Sequence, residues 1–289
     1  MSETDAAAAR PMEISVGGFT FTVDVGGPQD GPAVLLLHGF PQSHRSFDAV
    51  VPLLHDAGLR TVAPDQRGYS PGARPGDVAA YATPHLVADA VGILDALEIE
   101  RAHVVGHDWG AGVAWLLAAE APDRVASLTA LSVPHPSAFG WAVANDPDQQ
   151  QRSQYIQFLR TEGVAEDALL ADDAARLRAT YALLPTTTSA PYVDLLSDRA
   201  ALTAALSWYR AMDLTDGIPP SPVPTTFVWS TADRAVGRVA AERCGAHVSG
   251  EYRFVELEGV SHWIPEEAPD AVARAVLASA GPRDAPRTG

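Results

Sequence analysis

The stretch Ala102-His103-Val104-Val105-Gly106-His107-Asp108-Trp109-Gly110 joins a run fit for a buried strand to an Ala/Leu-rich segment, 110–119, fit for a helix. Gly106 and Gly110 flank the turn between them, and without side chains they let the backbone bend sharply. A strand-to-helix turn of this small-x-nucleophile-x-small form lifts the central side chain above the sheet. It also sets that side chain at a helix N-terminus, where negative charge is favoured. Asp108 is therefore expected to stay ionised and nucleophilic at neutral pH. Read by itself, the pentapeptide is equally a helix cap between turn glycines, and the rest of the chain has to separate the two.

Working outward, the surroundings alternate strand and helix. Glu13–Val16 and Phe19–Val25 flank Gly17-Gly18 and read as a hairpin. Ala33–Leu37 is apolar at every position, as a strand covered on both faces requires, so the sheet is expected to be parallel there. A helix over 45–57, a strand Thr61–Pro64 and a helix Thr83–Leu97 opened by Thr83-Pro84 precede the central turn, and a strand Val125–Leu131 follows it. From Pro134 to Pro220 the strand runs stop and helical, aromatic and polar patterns take over. After the proline-rich 219–224, strand character returns at Thr225–Trp229 and Tyr252–Leu257, and Pro269–Ala280 reads as a last helix. The expected architecture is a mostly parallel sheet flanked by helices, residues 12–134 and 221–281, with an inserted helical cap over 135–220. Residues 1–11 and 282–289 read as flexible tails.

Composition narrows the partners. The 289 residues are 47% hydrophobic and 19% charged, an ordinary globular balance. A net charge of −16 opposes binding to phosphate backbones and anionic membrane surfaces. The one cysteine, Cys244, leaves no intramolecular disulfide and no thiolate metal site. With no signal-peptide pattern and no apolar run of membrane-spanning length, the cytoplasm is the expected compartment. All basic residues are Arg and the only Asn is Asn145, the usage of a GC-rich genome such as an actinobacterium's.

The remaining pieces follow the central turn in the order nucleophile, acid, histidine. Asp233 lies in the loop after Thr225–Trp229, and His262 in the loop after Tyr252–Leu257. Both are at carboxyl ends of strands, where open α/β sheets carry their sites. Asp233 would orient His262, and His262 would activate a water. His38-Gly39-Phe40-Pro41 follows Ala33–Leu37 directly, so the backbone N–H groups of Phe40 and Trp109 would form an oxyanion hole. Pro41 would hold that loop, with a cis peptide bond as one means. His38 and His107 read as packing or hydrogen-bonding residues near the site, and Asp65–Tyr69 as a structural loop at its mouth.

On these motifs, with Ser207-Trp208-Tyr209-Arg210 and Gly259-Val260-Ser261-His262-Trp263, the chain from about residue 12 to 281 resembles the α/β-hydrolase superfamily, and within it the epoxide hydrolases. The resemblance implies attack of Asp108 on an epoxide, a covalent ester, its hydrolysis by water activated at His262–Asp233, and a vicinal diol as product. It implies no metal or organic cofactor. It also implies two cap tyrosines that hydrogen-bond the epoxide oxygen. Tyr209 matches the second; the first falls near Phe158, which has no hydroxyl, and Tyr155, three residues earlier on the same helical face, would substitute. His38, Pro41, Phe158, Trp208, Trp141 and Trp263 are the expected pocket residues, and a small, largely apolar epoxide, as in a secondary-metabolite intermediate, is the expected partner. A homodimer is compatible with this reading. Haloalkane and fluoroacetate dehalogenases share an Asp at the turn, but resemble the chain less: Phe40 stands where the former carry Asn, and Trp109 where the latter carry Arg. A ligand-binding member without turnover, and a lyase or isomerase of the same fold, are further alternatives.

Overall fold

Gly17 and Gly18 both take positive φ, 58° and 86°, and close the antiparallel hairpin of β1 (Arg10–Val16) and β2 (Phe19–Gly26). The computed structural model describes residues 10–212 and 218–280. Most of the segments read as tails, 1–9 and 282–289, therefore lie outside the described residues, while Arg10 and Pro11 belong to β1. β1 is the sheet edge, and an edge strand tolerates a proline because its outward N–H has no ladder partner to lose.

Beyond the hairpin the chain runs through β3 (Ala33–Leu37), α1 (Val51–Asp56), β4 (Arg60–Pro64), α2 (Thr83–Ala96), β5 (Ala102–His107), α3 (Trp109–Glu120) and β6 (Val125–Leu131). The helix expected over 45–57 is two pieces, a 3-10 turn His44–Phe47 and α1. Pro52 sits in the first turn of α1, where its missing N–H costs nothing; inside one continuous helix it would have broken a hydrogen bond.

After β6 the chain leaves the sheet for α4 (Pro136–Asn145), α5 (Pro147–Arg152), α6 (Gln154–Arg160), α7 (Val164–Thr180), α8 (Thr186–Leu196) and α9 (Arg199–Ala211). It returns through β7 (Thr225–Ser230), α10 (Arg238–Arg243), β8 (Tyr252–Leu257), α11 (Ile264–Glu267) and α12 (Pro269–Ser279). α7 is interrupted at 171–174, where Asp172, Asp173 and Ala174 have φ of 51°, 56° and 57°. Left-handed backbone costs non-glycine residues about 1–2 kcal/mol each, so the break is a strained bend in the lid.

The eight strands are ordered β1-β2-β4-β3-β5-β6-β7-β8, and all pairs from β4 to β8 are parallel. Strand order reverses between β3 and β5, the point at which a doubly wound sheet opens a crevice above its carboxyl edge. Both faces are covered, and β3 records this in its alternation. Leu35 and Leu37 join the core that includes α2, α3 and the lid, whereas Val34 and Leu36 join the one that includes α1 and α12. Among the described residues the lid shares the first of these cores: Phe139, Leu159, Tyr192 and Trp208 are buried in the same cluster as Leu35.

Candidate active site

β5 ends at His107 and α3 begins at Trp109, so Asp108 alone makes the turn, at φ 51° and ψ −119°. A conformation this rare in a non-glycine residue costs on the order of 1–3 kcal/mol and persists only where its surroundings hold it. The flanking glycines explain how it is held. A Cβ on Gly110 would lie 2.0 Å from the Leu37 carbonyl oxygen, and one on Gly106 would lie 2.3 Å from that of Gly110. The Asp108 side chain makes no capping bond to α3. Instead Oδ1 accepts a 2.9 Å hydrogen bond from the Phe40 N–H, delivered by the loop after neighbouring β3. Oδ2 lies 3.5 Å from His262 Nε2. Burial works against the charge on Asp108, but the His262 contact and the Phe40 N–H hold its carboxyl below the usual range. The Phe40–Pro41 peptide bond is cis.

Asp233, past the end of β7, is buried and fully engaged. Oδ1 accepts from the N–H groups of Ala235 (2.7 Å) and Val236 (3.0 Å), and Oδ2 accepts from His262 Nδ1 (3.0 Å) and the Ser132 hydroxyl (2.7 Å). Burial opposes its ionisation, yet His262, Ser132 and the Val236 N–H draw its pKa to about 2. His262 stands between two carboxylates. Burial disfavours its cation, but Asp233 and Asp108 outweigh that and push its pKa well above the ordinary histidine value. Ser132, the first residue past β6, also lies 3.0 Å from His262 Nδ1. Sequence reasoning missed it, although its position at a strand's carboxyl end between β5 and β7 was a usable signal.

The two histidines expected to be structural lie behind this row. His38 is completely buried; its Nδ1 donates to the Gly39 carbonyl (3.0 Å) and its Nε2 accepts from the Gln66 N–H (3.1 Å). Burial holds its pKa near 4, so it is neutral, and it does not line the cavities described below. His107 bridges the His262 carbonyl (2.8 Å) and the Gln42 side-chain amide (2.9 Å).

Helices α6 and α9 of the lid bring Tyr155 and Tyr209 over Asp108. The Tyr209 ring packs edge-on against Phe40 (5.2 Å) and Trp109 (5.1 Å), with Tyr155 6.3 Å away. Tyr155 is 38% exposed, and burial raises its hydroxyl pKa as it does that of Tyr209. Two cavities, about 460 and 550 Å³, are both lined by Asp108, Tyr155 and Tyr209. Phe158, Pro41 and Trp263 line the first, together with Leu177 and Leu183; Trp109, Phe139 and Ile156 line the second. Besides His38, which was also expected to line the pocket, two expected pocket residues lie elsewhere. Trp208 turns its indole away, donating to the Arg67 carbonyl at 2.8 Å and packing against Tyr69. Trp141 lies on the surface, 41% exposed, under the Arg243 guanidinium. Among the described residues no group of His, Cys, Asp and Glu side chains is arranged to hold a metal ion.

Residues 32–269 match the family model of the alpha/beta hydrolase fold. The chain belongs to the α/β-hydrolase family. This hydrolase is 33% identical over 273 residues to the AB hydrolase superfamily protein YfhM of Bacillus subtilis, covering 91% of this chain and 95% of the relative. It is 34% identical to Epoxide hydrolase A of Mycobacterium tuberculosis, again across 91% and 95% of the two chains. Among solved structures, the hydrolase superposes on Epoxide Hydrolase A from Mycobacterium thermoresistibile with a TM-score of 0.83 at 29% identity, over 94% of this chain and 98% of that one. No described helix is long and apolar enough to cross a membrane.

Proposed function

We propose that this hydrolase opens epoxides to vicinal diols through a covalent ester on Asp108. The observation that carries the reading is the unequal use of the two Asp108 oxygens. Oδ1 is occupied by a backbone N–H, while Oδ2 is left toward His262 and a cavity roofed by two tyrosines. A carboxylate so arranged suits attack on carbon, and the names borne by the relatives favour an epoxide over other electrophiles.

In the first step Oδ2 forms a bond to an epoxide carbon, and the carbon–oxygen bond of the ring breaks. The alkoxide takes a proton from Tyr209 or Tyr155, whose raised pKa values keep them protonated beforehand. Proton donation of this kind is worth about 10²–10⁴ in rate. Forming the ester removes the Asp108 charge, and with it one of the two anions that hold the proton on His262. The proton so loosened passes to the tyrosinate, and neutral His262 can then take a proton from water, whose hydroxide adds to the ester carbonyl. Oδ1 becomes the oxyanion, already in contact with the Phe40 N–H; one such donor is worth about 3–4 kcal/mol. Collapse breaks the ester bond; the departing alkoxide takes the proton from His262 to give the diol, and the new carboxyl group passes its own proton to His262, which restores the carboxylate and the imidazolium. The apolar lining on both sides of Asp108 supports a largely apolar substrate with substituents on either side of the ring. The single, buried Cys244 supports a cytoplasmic setting, and an epoxide of secondary metabolism is the substrate class we propose.

Intact-mass spectrometry of His262→Ala mixed with an aryl epoxide tests the chemistry. The expected result is a protein heavier by one substrate molecule, with the adduct on Asp108, and no adduct in the Asp108→Ala, His262→Ala double variant. An unmodified His262→Ala protein, together with an Asp108→Ala variant that keeps its turnover, would sink the proposal.

A further inference from the structure

Behind His262, on the side away from the cavity, a buried chain of polar groups runs from the sheet to the lid. The His262 carbonyl is met by His107 Nε2 at 2.8 Å, His107 Nδ1 lies 2.9 Å from the Gln42 amide atom placed as oxygen, and the atom placed as the amide nitrogen lies 2.5 Å from Glu266 Oε1. The Tyr192 hydroxyl of α8 closes the chain, donating to Glu266 Oε1 at 3.0 Å. Glu266 Oε2 is buried with no partner, and among the described residues Glu266 forms no ion pair. Its neighbour Glu267 is bound to the N–H and hydroxyl of Ser261. The other titratable groups around Glu266 are Tyr181, packed against Tyr192, and the imidazole of His262, while Asp48 stands close enough to Tyr192 to act on it electrostatically.

Proton accounting allows two arrangements of this chain. A carbonyl only accepts, so His107 Nε2 must carry a hydrogen. If Glu266 is ionised, the Gln42 NH2 faces it, the Gln42 oxygen faces His107 Nδ1, and His107 must be doubly protonated. That arrangement buries a cation beside His262 and a carboxylate with one bare oxygen, a costly pair without direct contact. If Glu266 is protonated, it donates to the Gln42 oxygen, the Gln42 NH2 donates to a bare His107 Nδ1, and every shared contact has one donor and one acceptor with no net charge. The two orientations of Gln42 differ only by exchange of its amide oxygen and nitrogen. Burial also holds His107 near pKa 4 and raises Glu266 to about 7.

From this geometry we infer that Glu266 is a positioning residue that works as a neutral acid: its proton anchors the Gln42–His107 relay, and the relay fixes the His262 backbone for the step in which water attacks the ester. The role of that step rests on the epoxide-opening reading; the protonation of Glu266 does not. Two variants separate them. Glu266→Gln keeps a hydrogen-bond donor toward the Gln42 oxygen and cannot ionise. Glu266→Ala breaks the relay.

The thermal arm needs no substrate. The Glu266 pKa is raised above its ordinary 4.5, so the stabilisation from its proton is complete below about 4.5 and is lost as pH rises through about 7. Glu266→Gln is spared that loss. Its melting temperature is expected to gain on the parent as pH goes from 5 to 8, ending about 2–4 °C ahead. A Glu266→Gln protein that instead falls behind the parent at pH 8 overturns the protonation.

The kinetic arm uses an aryl epoxide at pH 7. Slower ester hydrolysis lowers kcat and KM together and leaves kcat/KM untouched, because the ester forms before that step. Glu266→Ala is expected to lose about tenfold in kcat, with kcat/KM within about twofold of the parent, as for a small displacement of a reacting group. Glu266→Gln is expected to restore kcat to within about twofold. Equal falls in kcat and kcat/KM, or a Glu266→Gln variant as slow as Glu266→Ala, overturn the positioning role. A parent that opens no epoxide overturns the proposed function, and the thermal arm then decides the proton on its own.

Discussion

Asp108 and Ser132 stand directly past the ends of β5 and β6, and Asp233 and His262 lie in the loops that follow β7 and β8; Tyr155, Phe158 and Tyr209 ride on lid helices. The two groups are held by different forces. Each carboxylate at the sheet's edge is fixed by backbone N–H groups: Phe40 for Asp108, Ala235 and Val236 for Asp233. The lid tyrosines are held mainly by ring packing, on helices tied down by a few polar contacts. Glu166 pairs with Arg210 to join α7 to α9, Trp208 donates to the Arg67 carbonyl, and the Tyr181 hydroxyl donates to the Pro41 carbonyl. Gln149 and Arg152 of α5 grip the loop of Asp233 itself, through Gly237, Ala235 and the Asp233 carbonyl. Charge must be placed to a fraction of an ångström and the sheet does that; the shape around it can vary with the lid while the charges stay put.

Removing one lid hydroxyl at a time tests whether the roof takes part in chemistry at all. Tyr209→Phe is expected to lower kcat/KM for an epoxide by about 10², and Tyr155→Phe by about tenfold, since proton donation can pass to the hydroxyl that remains. No change in either variant would leave all chemistry to the sheet. On the other side of the comparison, the lowered pKa of Asp233 means stability present above the ordinary 3.8 and lost as pH falls toward about 2. Asp233→Asn is expected to be less stable than the parent by about 2 kcal/mol at pH 7, the gap closing between pH 4 and 2 in urea unfolding.

Where lid and sheet meet, Gln149→Ala leaves the Gly237 N–H and the Ala235 carbonyl without their partners. A cost of about 1–2 kcal/mol in urea unfolding and a fall in kcat are expected. Unchanged kcat would mean that the acid loop holds its shape without the lid. The smallest effect belongs to Trp141→Ala, on the lid's outer surface, with stability within about 0.5 kcal/mol and parent-like kinetics in steady-state assays.

The same division governs what could be read from sequence. The turn at Asp108 was legible because its causes are local: a run apolar at every position, two glycines at the points of closest approach, and a helix beginning at once. The strand-end locations of Asp233 and His262 followed from similar runs. Gln42 and Glu266 carry no local mark, since each earns its place through partners far along the chain, and Ser132 has only its strand-end position to mark it. In the lid, periodicity marks helices but not the direction of each face. Trp208 and Tyr209 are adjacent on α9, about 100° apart around the helix, and only Tyr209 lines the cavities. Tyr155 and Phe158, three apart and so on one face, both line the first cavity. The helix expected over 45–57 failed for a readable reason, the proline at 52.

Because the Phe40 N–H grips only one atom of the Asp108 carboxylate, the proposed turnover would give the two oxygens different ancestries. On the two-step reading, Oδ2 departs inside each diol and the solvent supplies its successor, while Oδ1 dates from the synthesis of the chain. In water enriched with heavy oxygen the first diol released would stay light at the carbon attacked, and every later one would be heavy. The carboxylate itself would settle at a single heavy atom, a record of how firmly one hydrogen bond forbids it to rotate.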